Sequence, residues 1–325
     1  MTTTATGVPA PAFVGDLGDT GDGGYPLQVE HLTKRYGDRT VVDHLDFTVP
    51  PGRVTGFLGP NGSGKSTTMK IMLDLAAASE GTATIGGHRY RDLPAPAGIV
   101  GAMIESDAFH PGRSGRDHLR ILSDASGIDQ RRVEVMLEQV GLSDAADRRV
   151  GAYSLGMRQR LGLAAAMLGT PPVLILDEPG NGLDPQGIRT LRDLLRDHAA
   201  AGGTVFVSSH LLSEVEHLAD DVIVVNRGRL VTTGSLAELQ QAAAVVRSPE
   251  VSRLGSVLEG AGAAIEPDGA DAMVVRGMAL EEIGARAFAE GVVLHELASR
   301  AGSLEELFLQ WTTVASPSDP EGVEP

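Results

Sequence analysis

The stretch Gly59-Pro60-Asn61-Gly62-Ser63-Gly64-Lys65-Ser66-Thr67 fits the phosphate-binding pattern G-x-x-x-x-G-K-[ST] at every fixed position. Its flanks fit as well. Arg53-Val54-Thr55-Gly56-Phe57-Leu58 reads as a short buried strand, and Ser66 to Leu75 as a helix with Met69, Met72 and Leu73 on one face. Glycines let the backbone curl until successive N–H groups converge on one anion, and the helix N-terminus adds its partial positive charge. In such a loop Lys65 reaches the outer phosphates of a nucleotide and the Ser66 hydroxyl binds Mg²⁺. A Gly-rich turn that binds nothing is the competing account. It leaves the agreement of the loop with both flanks unexplained.

The rest of the composition restricts what such a site can serve. The chain has 325 residues, enough for one large domain and a smaller one. A net charge of −16 argues against a nucleic-acid binder, which needs a basic face to release counterions, and against electrostatic attachment to a membrane surface. The absence of cysteine excludes disulfides, thiolate metal sites and cysteine nucleophiles, and fits a reducing compartment. No apolar run approaches the ~20 residues that cross a bilayer, and the N-terminus lacks the pattern of a signal peptide. The expectation is a cytosolic protein that meets a membrane only through a partner.

Residues 1–24 are rich in Thr, Gly, Asp, Pro and Ala and read as a disordered tail. From residue 25 to about 240 the pattern is that of one α/β domain. Leu27 to Leu32 alternates, Val41-Val42 and Leu45 to Val49 follow as strands, and Gly81 to Ile85 and Ile99 to Ile104 are two more. Residues 106–165 are mainly helical. Ser114 and Asp117 resemble a capping box; Val133, Met136, Leu137 and Val140 follow helical spacing up to Gly141; and Ser154 opens a third helix. Val173-Leu174-Ile175-Leu176 and Thr204 to Ser209 run apolar without alternation, as parallel strands covered on both faces do. Val222 to Val225 and Arg229 to Val231 form a closing hairpin. Residues 241–314 change pattern. A strand near Val245, helix Val251 to Leu258, strands near Ala264 and Met273, helix Leu280 to Phe288, a strand at Val292 to Leu294 and a helix at Leu304 to Trp311 suit a small ferredoxin-like α+β domain. Residues 315–325 read as a second tail.

Three residues stand where these buried strands end. Asp177 closes the first, Glu178 follows it, and His210 closes the next. Ligands of open parallel sheets bind at the carboxyl ends of the strands. A carboxylate there can hold Mg²⁺ through water, a second can polarise an attacking water, and an imidazole can hydrogen-bond a γ-phosphate. Taken singly they are a capping Asp, a solvated Glu and a surface His. Gathered around one phosphate loop, they read as a hydrolytic site. Tyr36, by its local sequence alone, is an ordinary half-buried tyrosine that could also stack on a base.

From about Leu27 to Leu236 the chain resembles the ATP-binding subunits of ABC transporters. Gly59 to Thr67 matches Walker A and Val173 to Asp177 matches Walker B, with Glu178 in the place of the catalytic glutamate. Asn181-Gly182-Leu183-Asp184 is similar to the D-loop, His210 to the switch histidine and Tyr36 to the A-loop aromatic. Tyr153-Ser154-Leu155-Gly156-Met157-Arg158-Gln159-Arg160 resembles the signature motif, with Ser154 and Gly156 in its key positions. The resemblance implies a P-loop ATPase fold with a mixed core sheet, an antiparallel β subdomain and a helical subdomain. It implies ATP and Mg²⁺ as ligands, with Ser66, Asp177 and Glu105 toward the metal. The nucleotide side is Tyr36, Gly59, Asn61, Gly62, Ser63, Gly64, Lys65, Ser66 and Thr67, faced by Ser154, Gly156 and Asp184. It implies catalysis by Glu178, His210 and Lys65. It also implies a second ATPase subunit, most simply a homodimer in which each signature caps the other's nucleotide, and a membrane permease.

Three positions depart from the usual pattern. Met157 replaces a Gln, Glu105 stands at the Q-loop glutamine, and Gly180 takes a place often held by Thr or Ser. Glu at position 105 suits the drug- and bacitracin-resistance exporter branch, which this chain resembles most. An importer subunit with a regulatory C-terminal domain is the alternative. A soluble ATPase of translation or repair is disfavoured by a single cassette without a coiled-coil insert.

Overall fold

The structure, a computed structural model, describes residues 24–104, 109–239, 243–300 and Phe308. It divides into two compact units, Met1–Thr233 and Gly234–Pro325. In chain order the first contains β1 Leu27–Tyr36, β2 Arg39–Val49, β3 Val54–Leu58, α1 Lys65–Met72, β4 Glu80–Ile85, α2 Pro96–Ile99 and β5 Val100–Met103. Then come α3 Gly115–Ser126, α4 Arg131–Gln139, α5 Leu155–Met167, β6 Val173–Asp177, α6 Pro185–Ala200, β7 Thr204–Ser209, α7 Leu212–Leu218, β8 Asp221–Asn226 and β9 Arg229–Ser235.

Two sheets form the core of this unit. Strands β2-β1-β4 make an antiparallel sheet, and β5-β6-β7-β3-β8-β9 make a second one. From β5 to β8 the second sheet is parallel, so the carboxyl ends of β6, β7 and β3 fall side by side, with Leu58 opposite Ser209 and Asp177 opposite Ser208. This placement comes from the apolar runs read in the sequence. β3 and β7 are buried at every residue, and Val173 to Leu176 of β6 are fully buried, as strands covered on both faces must be. Phe47 of β2, Phe57 of β3 and Phe206 of β7 stack with ring centroids 5.0–5.8 Å apart and fasten one sheet to the other.

Local details differ from expectation for identifiable reasons. α1 stops at Met72 rather than Leu75, because Asp74 takes φ 55° and its carboxylate turns to Arg91. The two apolar runs after Tyr36 belong to one strand, β2, whose register against β1 slips near His44, itself at φ 50°. Ile99 ends a short helix instead of opening β5. The expected capping at Ser114 is present: its Oγ accepts from the Asp117 N–H at 3.0 Å. α4 has no such cap: its N-cap is Gln130, without a side-chain bond, and Asp129 just before it accepts from the Arg131 N–H at 2.8 Å.

The second unit contains α8 Leu236–Leu239, β10 Ala243–Arg247, α9 Val251–Gly260, β11 Ala264–Pro267, β12 Ala272–Arg276, α10 Leu280–Ala289 and β13 Glu296–Arg300. The sheet order β11-β12-β10-β13, all antiparallel, with the β-α-β-β-α-β succession, is a ferredoxin-like arrangement. Leu254, Leu258, Ile283 and Ala287 of its two helices pack on Val246, Met273 and Val275. The last strand is Glu296–Arg300, not Val292 to Leu294. Val292 is buried behind α10, and pairing with β10 begins only where Glu296 meets Arg247. A polar edge strand carries little apolar signal, so the sequence pattern pointed a few residues early. The helix expected at Leu304 to Trp311 lies outside the described residues except for Phe308, and both expected tails lie wholly or almost wholly outside them.

Candidate nucleotide site

The loop after β3 is built from close approaches that only glycine permits. A Cβ at Gly59 would lie 2.3 Å from the Val225 carbonyl oxygen and 2.5 Å from Ser63 Oγ. Gly64, at φ 104°, would place a Cβ 2.8 Å from the Val41 carbonyl oxygen. Asn61 and Gly62 form the exposed tip. The loop is held from outside its own motif. The Gly228 N–H donates to the Ser63 carbonyl at 3.0 Å, the Asp43 N–H donates to the Gly228 carbonyl at 2.8 Å, and Arg229 pairs with Asp43 at 2.7 Å. The turn between β8 and β9 and the middle of β2 thus brace the loop.

Lys65 is 6% exposed, and its Nζ donates to the carbonyls of Gly59 at 2.6 Å and Pro60 at 3.4 Å. Burial pushes its ammonium below the ordinary lysine range, while the charges of Glu178 and Asp177 act in the opposite direction. The Ser63 hydroxyl is buried without a hydrogen-bond partner. A desolvated cation held by neutral carbonyls, beside an unpartnered buried hydroxyl, is complementary to an anion. Ser66 is exposed and Thr67 half-buried in the first turn of α1.

At the neighbouring strand ends, Ser208 Oγ donates to Asp177 Oδ1 and accepts from the Glu178 N–H at 2.9 Å. One serine therefore fixes both acidic residues. Glu178 takes φ 51°, an uncommon conformation for a residue with a Cβ. Its Oε2 lies 2.6 Å from His210 Nδ1 and 3.4 Å from the His210 N–H. Lys65, Asp177, Glu178 and His210 are brought together at the ends of β3, β6 and β7. Among the described residues no group of three His, Cys, Asp or Glu could hold a metal alone. Glu105 lies outside the described residues.

The signature stretch opens α5. Ser154 is its N-cap, and its Oγ accepts from the Met157 N–H at 3.2 Å. Gly156 lies under Gly182, where a Cβ would fall 2.8 Å from the Gly182 carbonyl oxygen. Gly182, at φ 75°, has room for no side chain beside Leu155. Asp184 caps α6, accepting from the Gly187 N–H at 2.9 Å, and pairs with Arg160 at 2.6 Å. Ser154, Gly156 and Asp184 thereby form a second group, joined to the first through the chain from Glu178 to Asp184. Tyr36 ends β1, is 54% exposed, and carries the Lys34 ammonium 4.6 Å above its ring. It is free for stacking on its exposed face rather than half-buried. Sequence reasoning assigned no role to Ser208, Arg160, Glu214 or the Gly228 turn. Two had a visible signal: Ser208 in Ser208-Ser209-His210, and Arg160 at the end of the signature stretch.

Fold and site together define a P-loop ATPase of the cassette type. Residues 42–181 match the family described as ABC transporter, and residues 242–305 match one described as Domain of unknown function (DUF8746). The chain is 43% identical over 220 residues to the Bacitracin transport ATP-binding protein BcrA of Enterococcus faecalis, covering 67% of this chain and 71% of that one. It is 34% identical over 307 residues to the Daunorubicin resistance ATP-binding protein DrrA2 of Streptomyces coeruleorubidus, covering 89% and 95%. Among solved structures, one titled "Structure of ATP binding subunit of ABC transporter" superimposes with a TM-score of 0.61 at 28% identity, covering 66% of this chain and 92% of that one. The chain belongs to the ATP-binding proteins of ABC transporters. It is an ATPase whose hydrolysis is coupled to transport. No helix among the described residues is long and apolar enough to cross a membrane.

Proposed function

We propose that this subunit powers export of a drug, antibiotic or other amphipathic solute through a separate membrane permease, which holds it on the inner face of the membrane. The observation that carries this reading is the extent of the likeness to the daunorubicin resistance protein: 89% of this chain, too long a span for the first unit alone. The bacitracin relative points the same way over 220 residues.

In this reading the N–H groups of residues 59–67 and the Lys65 ammonium bind the phosphates of ATP, and Tyr36 stacks on the base. Ser66, Asp177 and Glu105 would hold Mg²⁺. When bound, the metal neutralises charge on the phosphates and fixes their orientation. Glu178 aligns the attacking water and accepts its proton, and His210 orients Glu178 and contacts the γ-phosphate. Ser154, Gly156 and Asp184 act across an interface between two copies, each signature capping the nucleotide of the other copy. A Glu178→Gln variant tests the reading. It is expected to accumulate as an ATP-bound dimer with turnover reduced by about 10²-fold or more. A Glu178→Gln protein that turns over like the wild type and stays monomeric in ATP would sink it.

A further inference from the structure

One carboxylate lies against the reacting end of the sheet and belongs to none of the motifs. Glu214 sits in the first turn of α7, half-buried. Ser209 Oγ accepts from the Leu211 N–H at 3.0 Å and lies 3.4 Å from both Glu214 Oε2 and the Leu211 carbonyl oxygen. On its other side is Gly180. A Cβ there would fall 2.7 Å from Glu214 Oε2 and 3.2 Å from both Cδ and Oε1. Gly180 is not among the residues with positive φ, so a side chain here would meet no backbone strain and would act only by displacing the end of Glu214. The Glu214 carboxyl occupies the volume that a side chain at position 180 would need. Gly180 lies in the tight turn after Glu178, in which the Asn181 N–H donates to the Glu178 carbonyl at 3.2 Å and the Leu183 N–H to the Gly180 carbonyl at 3.1 Å. Glu214 therefore touches the turn that carries Glu178 and the strand end that carries His210.

We propose that Glu214 is a positioning residue for hydrolysis: seated on Gly180 and reached by Ser209, its carboxylate holds the Glu178 turn and the His210 strand end in the geometry that brings the two side chains to 2.6 Å. The proposal rests on the roles given above to Glu178 and His210. The ionisable groups acting on its carboxyl are Glu178 from the end of β6 and His210 from the end of β7. From α6, Arg196 directs its guanidinium to the His217 carbonyl at 2.6 Å, and β3 has no ionisable residue. Burial raises the Glu214 carboxyl above the ordinary glutamate range, the Glu178 charge adds to this, and Ser209 and His210 oppose it. Ionised, Glu214 is a charge-assisted acceptor for the Ser209 hydroxyl; protonated, it accepts only as a neutral and weaker partner, and turnover falls with it.

The test is steady-state ATP hydrolysis by the full chain across the acid and neutral range, with Glu214→Gln, Gly180→Ser and Glu178→Gln. Glu214→Gln is expected to lower kcat by about fivefold or more while KM for ATP stays within about twofold, and its acid decline begins at lower pH than in the wild type. Gly180→Ser, which pushes the carboxyl aside, reproduces the kcat loss. The double variant is no worse than the poorer single one, since both disturb one contact. Glu214→Gln with wild-type kcat and an unmoved acid decline overturns the proposal. So does a kcat loss in Glu214→Gln that adds fully to that of Gly180→Ser. If Glu178→Gln itself retains turnover, the hydrolytic roles fail. If Glu178→Gln is inactive while Glu214→Gln is unaltered, only the role of Glu214 fails.

Discussion

Arg160 of the signature helix donates to Asp184, the residue that caps α6, across 2.6 Å. Two stretches separated by a whole strand in sequence are thus tied at their tips. The Asp184 carboxyl is held below the ordinary aspartate range, first by the Gly187 N–H and then by Arg160.

A depressed carboxyl contributes stability that is present above the unfolded-state pKa and is lost as pH falls through the folded one. Asp184→Asn keeps a capping oxygen and weakens the ion pair, whereas Asp184→Ala removes both. Asp184→Ala is expected to melt below Asp184→Asn at neutral pH, and the gap between wild type and Asp184→Asn closes as pH drops below the ordinary carboxylate range. Thermal melts at neutral and strongly acid pH measure this. A gap that widens in acid contradicts it.

Lys65 shifts stability with pH in the same direction, but its charge is a cost to the fold rather than a gain. Its folded pKa is lowered by burial, so its charged form is the costly one without nucleotide, and that cost is relieved only as pH rises. Lys65→Met is expected to melt no lower than the wild type at neutral pH without nucleotide. Its ATP dissociation constant rises about 10- to 150-fold, the equivalent of ~1.5–3 kcal/mol for charge-assisted contacts. Calorimetric titration and melting with and without ATP read both halves.

The brace on the phosphate loop lies outside every motif. Gly228 has φ 81°, and a Cβ there would fall 2.6 Å from the Val41 carbonyl oxygen. Gly228→Ala is expected to cost about 1–3 kcal/mol of stability through backbone strain and to weaken ATP binding, because the added Cβ pushes the turn from Val41 and draws its N–H away from the Ser63 carbonyl. Unchanged ATP affinity in the folded variant would show that the turn does not set the loop.

His198 of α6 is a half-buried histidine whose Nε2 is buried without a hydrogen-bond partner, and burial pushes its pKa below the ordinary histidine value. The folded state favours the neutral ring. Stability is therefore full above the unfolded-state value of about 6.5 and declines as pH falls below it. Urea midpoints taken on either side of that value should fall more in the wild type than in His198→Gln. Equal falls in both proteins would place the acid sensitivity elsewhere.

Much of the site was legible because its chemistry is local. The fixed spacing from Gly59 to Thr67, the apolar run ending in Asp177-Glu178 and the serine pair before His210 each lie within a few consecutive residues. So do the caps at Ser114 and Ser154. What was misjudged depended on partners distant in sequence. The last strand followed the register of β10 rather than its own apolarity, and α1 ended early because Asp74 found Arg91.

The sequence by itself determined the class of the protein, its nucleotide loop and the order of its strands, because buried parallel strands and glycine turns leave signatures in consecutive residues. Only the tertiary structure decided which groups serve the loop from outside it. Gly228 braces the Ser63 carbonyl, Ser208 fixes both carboxylates, Arg160 reaches Asp184 and Glu214 fills the space over Gly180. Each of these contacts joins residues 24 or more positions apart, from Arg160 and Asp184 at the near end to Ser63 and Gly228 at the far one. Such pairs meet only after the sheet is assembled, and a single sequence carries no local pattern for them.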